Sequence, residues 1–143
     1  MIEIKQISAD ETYPIRLEVL RKGIPLPHKF KGDFDSDTFH LGVFLKTKLV
    51  GVSSFMKVDN ENFDGFQYQL RGMAALEESR GLGIGRKMME EAFKILNEKQ
   101  VGCLWCNARI VAVDFYKKMG LKIDGDLFDI ELVGNHYVMY KYL

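Results

Sequence analysis

Hydrophobic and polar residues alternate over much of the chain, a pattern typical of half-buried β-strands. The alternation predicts about seven strands, over residues 2–7, 39–45, 49–58, 66–76, 101–106, 121–130 and 136–143. A helical period between residues 84 and 99 predicts one helix, and a short helix is expected to begin at Asn107. A first helix, ending near residue 22, is expected to bury Ile15, Val19 and Leu20. Its start is either residue 9, where Ser8 and Glu11 fit a capping box, or residue 12, which places Pro14 in the first turn.

The order of these elements predicts a single domain over residues 1–143. Strand 66–76, a glycine-rich loop, helix 84–99 and strand 101–106 form a βαβ unit, whose two strands are expected to be parallel and adjacent. The strands before this unit are joined by short turns and are expected to be antiparallel. We therefore expect an α/β (α+β) fold with one mixed, mostly antiparallel sheet and helices packed on its faces.

The loop of this unit reads Arg80-Gly81-Leu82-Gly83-Ile84-Gly85-Arg86-Lys87. Glycines permit a tight turn, and the free N–H groups of the following helix favour an anion, most often phosphate. A Walker A loop requires Ser or Thr after the lysine, but Met88 stands there. A Rossmann loop requires a different glycine spacing and, about 20 residues later, an acidic residue instead of Asn107. On spacing alone, a glycine turn without a ligand stays open.

Composition narrows the class of protein. Of the 143 residues, 47% are hydrophobic, which suffices for a sizeable core. Lys+Arg and Asp+Glu balance at 20 each, which argues against nucleic-acid binding through a general basic field. We find neither a signal-peptide pattern nor an apolar stretch of the roughly 18 residues that a membrane span requires. We therefore expect no nucleic-acid or membrane partner, and a cytoplasmic location.

Two residue groups resemble metal or redox sites but are better explained otherwise. Cys103 and Cys106 form a C-x-x-C pair within a predicted buried strand, without a second pair, so two reduced cysteines are expected. Asp33, Asp35 and Asp37 alternate, but the glycine and the closing glutamate of a calcium loop are missing. A solvated loop is expected there, and no metal site is predicted.

The glycine-rich loop resembles the acyl-CoA loop of the GNAT superfamily of N-acetyltransferases, whose signature is Arg/Gln-x-x-Gly-x-Gly/Ala. Residues 73–76 resemble that family's fourth strand, and the segments at Asn107 and at Phe115-Tyr116 resemble its second conserved block. The order of elements matches over nearly the whole chain. The resemblance implies a splay between strands four and five, and transfer of an acetyl group to a primary amine of a small molecule or peptide by direct attack in a ternary complex. A non-catalytic acyl-CoA-binding module is the alternative.

The resemblance also implies roles for individual residues. The expected contacts of acetyl-CoA, bound as cosubstrate without a metal, are Met73, Ala74, Ala75, Arg80, Gly81, Leu82, Gly83, Ile84, Gly85, Arg86, Asn107, Phe115 and Tyr116. Gly72 is expected at a bulge that separates strands four and five. Tyr116 is the implied general acid for the CoA sulfur; without the resemblance, Tyr116 would be interpreted as a packed aromatic residue.

The acceptor side is less determined. His40, Asp64, Glu77, Glu78 and His136 are candidates for the general base by residue type, and the position of His136 at the start of the last strand favours it. Arg71 is expected to lie on a solvated face of the sheet, to pair with a carboxylate of the 33–37 loop, or to bind a carboxylate on the acceptor. The acceptor's identity, the length of the acyl group and the choice between monomer and homodimer stay open.

Overall fold

Seven strands form one mixed sheet in the order β1-β2-β3-β4-β5-β7-β6. The computed structural model describes all 143 residues. The strands are β1 (Ile2–Ile7), β2 (Phe39–Leu45), β3 (Lys48–Met56), β4 (Gln67–Ala75), β5 (Cys103–Arg109), β6 (Lys122–Ile130) and β7 (Gly134–Tyr142). All neighbouring strands are antiparallel except β4 and β5, which are parallel. The predicted fold class and the parallel βαβ pair are confirmed.

Helices cover both faces of the sheet. They are α1 (Ala9–Ile15), which continues as a π-helical segment (Arg16–Leu20), α2 (Ile84–Glu98) and α3 (Val113–Lys118). The α2 helix packs through Ile84 on Val43, whereas α1 packs through Ile15 on Val52. Val43 pairs with Gly51, the neighbour of Val52, so the two valines face opposite sides of the sheet. None of the helices combines the length and apolar character needed to cross a lipid bilayer.

The first helix differs from its prediction in two ways. The capping box of Ser8 and Glu11 is present, so the helix begins at Ala9 and the later start was wrong. Pro14 consequently lies inside the helix, and the five residues that follow α1 are π-helical. A π-turn shifts the buried face relative to the period of 3.6. Arg16 is therefore fully buried, whereas Val19, predicted to be buried, is 37% exposed.

A bulge in β4 opens the predicted splay. Between the pairs Val52–Ala74 and Ser54–Arg71, β4 contains one more residue than β3. Gly72 lies at this bulge with φ 63°, and a Cβ atom there would be 2.9 Å from the ring of Phe30. The β4 and β5 strands pair only from Gln67 to Gln69, and β5 afterwards pairs with β7 alone. The sheet therefore has a gap between β4 and β5.

The β5 strand is longer than predicted. Asn107, expected to begin a helix, lies inside β5 opposite Val138, because pairing with β7 continues to Arg109. Cys103 and Cys106 are both buried and free, as predicted. Three positions apart on a strand, they point to opposite faces of the sheet. Their thiols therefore cannot form a redox pair with each other.

Candidate active site

The glycine-rich loop presents unpaired backbone donors at the N-terminus of α2. Gly83 is the N-cap residue, with φ 70° and ψ 28°, and no side chain caps the helix. A left-handed backbone favours glycine there, because a residue with a Cβ atom in this conformation would lower the stability of the fold by about 1–2 kcal/mol. The N–H groups of residue 81 and of residues 83–86 donate no hydrogen bond within the protein. These donors and the positive end of the helix dipole form a site for a phosphate-bearing ligand.

A cavity of about 490 Å³ opens beside this loop and is called the loop cavity below. Nine of the residues predicted to contact acetyl-CoA line it: Met73, Ala75, Arg80, Gly81, Gly83, Ile84, Gly85, Arg86 and Phe115. The side chain of Ala74 instead packs with Ile15 and Val52, and Leu82 projects outward with 42% of its surface exposed. The structure thus brings most of the predicted donor-binding residues together around one opening.

Two arginines of the loop are already paired with carboxylates. Arg80 donates to Glu77 over 2.9 Å, and Arg86 lies 3.6 Å from Glu90. All four side chains are well exposed, and such surface pairs contribute about 0–1 kcal/mol. A phosphate group can therefore replace either carboxylate at little cost.

A second cavity, of about 460 Å³, opens at the splay and is called the splay cavity below. Its walls are residues 69–73 of β4, residues 106–109 of β5, Ala112 and Tyr116 beyond β5, residues 20–21 and 26–27 and 29–31 near α1, and Ile130, Val133 and His136. Met73 lines both cavities. The two openings therefore meet where β4 and β5 separate.

Tyr116 lies at this junction. It is buried in α3, lines the splay cavity, and its Oη atom is 3.9 Å from the sulfur of Met73. Burial, with a smaller contribution from Cys106, raises the pKa of Tyr116 well above its ordinary value of 10.0. The hydroxyl therefore keeps its proton throughout the neutral range. Asn107 also lines the splay cavity, from the side of β5.

Among the candidate bases, only His136 lines the splay cavity. It is buried in β7, and its Nδ1 lies 2.7 Å from the carbonyl oxygen of Gly134. Because a carbonyl only accepts, Nδ1 carries the proton, which leaves Nε2 with a lone pair in the neutral ring. Both ring nitrogens of His40 are occupied, at 2.6 Å from Ser54 Oγ and 2.9 Å from the Asp33 carbonyl oxygen.

The three acidic candidates lie elsewhere. Glu77 is paired with Arg80 at the loop cavity, and Glu78 is paired with Lys48 over 2.6 Å. Asp64 is exposed in the turn between β3 and β4. None of these carboxylates lines the splay cavity.

Arg71 does not pair with the 33–37 loop. Asp33, predicted to be solvated, is buried and accepts from both Nη atoms of Arg16 over 2.9 Å. Burial alone would raise the pKa of Asp33, but hydrogen bonds from Arg16 and Phe30 and the charges of Arg16 and His40 bring it below its ordinary value. Arg71 lines the splay cavity instead, 4.3 Å from the ring of Phe30.

The model of the acetyltransferase (GNAT) family matches residues 3–121. This chain belongs to the GNAT family. It is 40% identical over 145 residues to the uncharacterised N-acetyltransferase YitI of Bacillus subtilis, and the match covers 100% of this chain and 97% of YitI.

Solved structures with little sequence identity to this chain have the same fold. ElaA of Escherichia coli has a TM-score of 0.83 at 18% identity, with 99% of each chain covered. The PaiA N-acetyltransferase of Thermoplasma acidophilum, in complex with coenzyme A, has a TM-score of 0.72 at 19% identity, with 100% and 99% covered.

As a GNAT protein, the chain is an acyltransferase of a family that binds acyl-CoA and acts on amine acceptors in general. The solved structures share the overall architecture of this sheet and its helices.

Several residues of the GNAT site were missed by the sequence reasoning. Leu76 and Ser79 line the loop cavity, although neither belongs to the glycine signature. Arg109 lines the splay cavity two positions after Asn107, on the same side of β5. The alternation would have indicated it, had β5 not been predicted to end at Cys106. No sequence pattern indicated the Arg16–Asp33 pair or the place of Arg21 at the splay cavity, because the positions of both arginines depend on the π-helical segment.

Proposed function

We propose that this GNAT enzyme is an acetyl-CoA-dependent N-acetyltransferase that acts on a primary amine by direct attack in a ternary complex. The observation that carries the proposal is the junction at Met73, where the loop cavity meets the splay cavity beside the hydroxyl of Tyr116. Donor and acceptor can then approach each other from two openings. Both unmodified substrates are present when the bond forms.

The loop cavity fits the donor. The unpaired N–H groups of residues 81 and 83–86 suit its pyrophosphate, and Arg80 and Arg86 can add charge-assisted hydrogen bonds. The edge of β4 beyond Gln69 has no partner strand, so its backbone is free to pair with the pantetheine arm. Met73 and Ala75 are the proposed backbone partners, and Asn107 is proposed to bind the arm from β5.

Acetyl-CoA supplies the acyl group: the amine nitrogen forms a bond to the carbonyl carbon, the carbon–sulfur bond breaks, and the electron pair leaves with sulfur. An N–H group near Met73 or Ala74 is proposed to stabilise the negative charge on the carbonyl oxygen. Tyr116 is proposed to donate its proton toward the sulfur as negative charge develops there. The ammonium form of the acceptor first loses one proton, and the amide nitrogen loses a second. One of these protons restores the Tyr116 hydroxyl and the other is released to solvent, so that the products are the amide and the free CoA thiol.

His136 is the proposed base for the acceptor's protons. Its Nε2 has the free lone pair, and its Nδ1–H is fixed by the carbonyl of Gly134. We expect His136→Gln to lower kcat/KM about 10²-fold at neutral pH, within the range of general base catalysis. An unchanged kcat/KM would contradict this role and assign the deprotonation to water.

The experiment that tests the proposed function is the release of free CoA thiol. Purified protein is incubated with acetyl-CoA, with and without a panel of primary amines, and the acetylated product is identified by mass spectrometry. Amine-dependent thiol release is expected. Tight binding of acetyl-CoA without release for any amine would favour the non-catalytic acyl-CoA-binding module. Propionyl-CoA and butyryl-CoA, tested in parallel, show which acyl lengths the enzyme accepts.

A further inference from the structure

The splay cavity has a strong excess of positive charge. Five cationic side chains line it: Arg21, Lys29, Lys31, Arg71 and Arg109. No aspartate or glutamate is among its 21 lining residues, although the chain as a whole carries 20 acidic and 20 basic residues. Because the chain is neutral overall, this excess is local to the cavity.

Arg71 is the half-buried centre of this charge. Its guanidinium forms no ion pair and donates no hydrogen bond within the protein. It stacks on one ring, that of Phe30, which also contacts Arg16 at 3.9 Å. Asp33, the carboxylate whose charge acts on Arg71, already accepts hydrogen bonds from Arg16. A partly buried charge without a partner is costly, so its five N–H donors remain ready for a ligand.

Arg21 and Arg109 extend the charge across the gap. Arg21 donates from Nε to the carbonyl of Pro27 over 2.9 Å, and from Nη1 to that of Leu20 over 3.2 Å, which fixes its head at the cavity wall. Arg109 on β5 stands opposite His136 and has no ion pair or hydrogen-bond partner within the protein. No carboxylate of the protein neutralises these two guanidinium groups, and no further carbonyl group accepts a hydrogen bond from them.

These arginines repel one another. Burial, followed by the charges of Arg109 and Arg16, lowers the pKa of Arg21. Burial, followed by the charges of Arg16 and Arg21, lowers the pKa of Arg71. Arginine nevertheless stays protonated in proteins, so the repulsion persists until an anion enters. Each negative charge on a ligand would relieve it.

We propose that the acceptor is a small primary amine that carries two or more negative charges, which Arg21, Arg71 and Arg109 bind. This inference rests on the proposed function, because the splay cavity is the acceptor side only if the loop cavity binds the donor. The volume of about 460 Å³ suits a small molecule. Carboxylate and phosphate groups both match the fork of a guanidinium, and either can supply the charges. Polyamines and aminoglycosides would be repelled.

The first arm of the test compares matched amines in the thiol-release assay. The pairs are glutamate with glutamine, aspartate with asparagine, and phosphoethanolamine with ethanolamine; spermidine is the cationic member. We expect kcat/KM to be at least tenfold higher for the more anionic member of a pair, and this preference to shrink as ionic strength rises. The carboxylate and phosphate pairs show which of the two groups is preferred.

The second arm tests the arginines with a readout other than turnover. Citrate is the probe, and its effect on the melting temperature is measured with saturating CoA present, so that the loop cavity is blocked. Arg71→Gln is expected to remove most of the citrate-induced shift and to raise KM for the anionic amine at least tenfold, with the acetyl-CoA Kd unchanged. Arg71→Lys should restore part of both. Lys94→Gln, an exposed change on α2, removes one charge away from the cavity and serves as the control.

The two proposals fail in different ways. Equal or better turnover of neutral or cationic amines, or anionic turnover that ignores Arg71→Gln, overturns the anionic acceptor and leaves the acetyltransferase intact. Citrate stabilisation that depends on Arg71, without thiol release for any amine, supports the anion site and overturns the proposed function. Absence of both the anionic preference and the citrate shift overturns the inference.

Discussion

At the scale of single residues, burial gives ordinary side chains unusual properties. Tyr116 keeps its proton because its ring and hydroxyl are removed from water. Asp33 keeps its negative charge in spite of burial, because Arg16 donates two hydrogen bonds to it. One of these residues faces the proposed chemistry, and the other supports the wall behind Arg71.

We expect Tyr116→Phe to lower kcat about 10²- to 10⁴-fold, the usual contribution of a general acid. The acetyl-CoA Kd should stay within about twofold, because the only hydrogen-bond partner of the hydroxyl within the protein is the sulfur of Met73. Because the pKa of Tyr116 is raised, wild-type activity should show no alkaline limb from this group below pH 10. Steady-state kinetics and calorimetric titration measure both quantities; turnover equal to wild type would exclude the acid role.

Asp33→Asn should destabilise the protein by about 3–5 kcal/mol at neutral pH, because it leaves the charge of buried Arg16 without a partner. The folded-state pKa of Asp33 is lowered, so its stabilisation is present above the unfolded value of about 3.9 and is lost as pH falls through the lower folded value. The gap between wild type and variant should therefore close below that pH range.

Urea denaturation from pH 7 to pH 3 measures this gap. The matched control is Asp35→Asn, an exposed change in the same loop, which should have little effect. Equal losses for the two variants would show that the Arg16–Asp33 pair does not hold the loop in place.

At the scale of elements, the glycine-rich loop and the bulge in β4 prepare the site before any ligand is bound. The loop leaves the first N–H groups of α2 unpaired, and the bulge opens the gap between β4 and β5. Both features depend on backbone conformations with positive φ, at Gly83 and at Gly72. Each is therefore sensitive to a single added methyl group.

Gly83→Ala tests the loop directly. A Cβ atom there meets no atom within 4 Å. The free energy of unfolding is therefore expected to fall by about 1–2 kcal/mol, which comes from the left-handed backbone alone. We also expect the acetyl-CoA Kd to rise at least tenfold, because the methyl group would obstruct the approach of the pyrophosphate to the backbone. Calorimetric titration and denaturation report the two effects separately.

Gly65→Ala is the matched control for this change. Gly65 has φ 81° and equally open surroundings, but it lies in the turn between β3 and β4. A similar loss of stability with an unchanged acetyl-CoA Kd is expected. If both variants weakened acetyl-CoA equally, the loop backbone would not be the donor site.

The hydrophobic pattern predicted these elements well where the backbone is a regular strand or a regular α-helix. The alternation placed the strands, and the glycines with the helical period of residues 84–99 placed the βαβ unit. The π-helical segment was not predictable from a period of 3.6, so the burial of Arg16 was missed. The end of β5 was missed because its last residues are held by β7, which lies about 30 positions along the chain.

At the scale of the whole molecule, the two cavities fit the proposed reaction, in which donor and acceptor approach each other at Met73. The sequence predicted the loop cavity, because eleven of its twelve lining residues lie between residues 73 and 86. It did not predict the charge of the splay cavity, which comes from the segment after the first helix, from β4 and from β5. Arg21, Arg71 and Arg109 are far apart in sequence and become neighbours only when the sheet forms.

This arrangement predicts sequential kinetics without an acetylated enzyme. Both cysteines are buried, and burial raises the pKa of Cys106 to about 12, so neither is a ready nucleophile. Initial rates with both substrates varied should give intersecting lines. Intact mass spectrometry after incubation with acetyl-CoA alone should show no acetyl adduct; parallel lines together with such an adduct would require a covalent route.

The wall that Met73 contributes to both cavities has a practical consequence. A compound in which an anionic amine is joined to the sulfur of CoA through a short linker would span both openings at once. Its two halves would each raise the effective concentration of the other, so its affinity should exceed that of either half by several orders of magnitude. Such a bisubstrate compound would inhibit the enzyme selectively by binding across the junction at Met73.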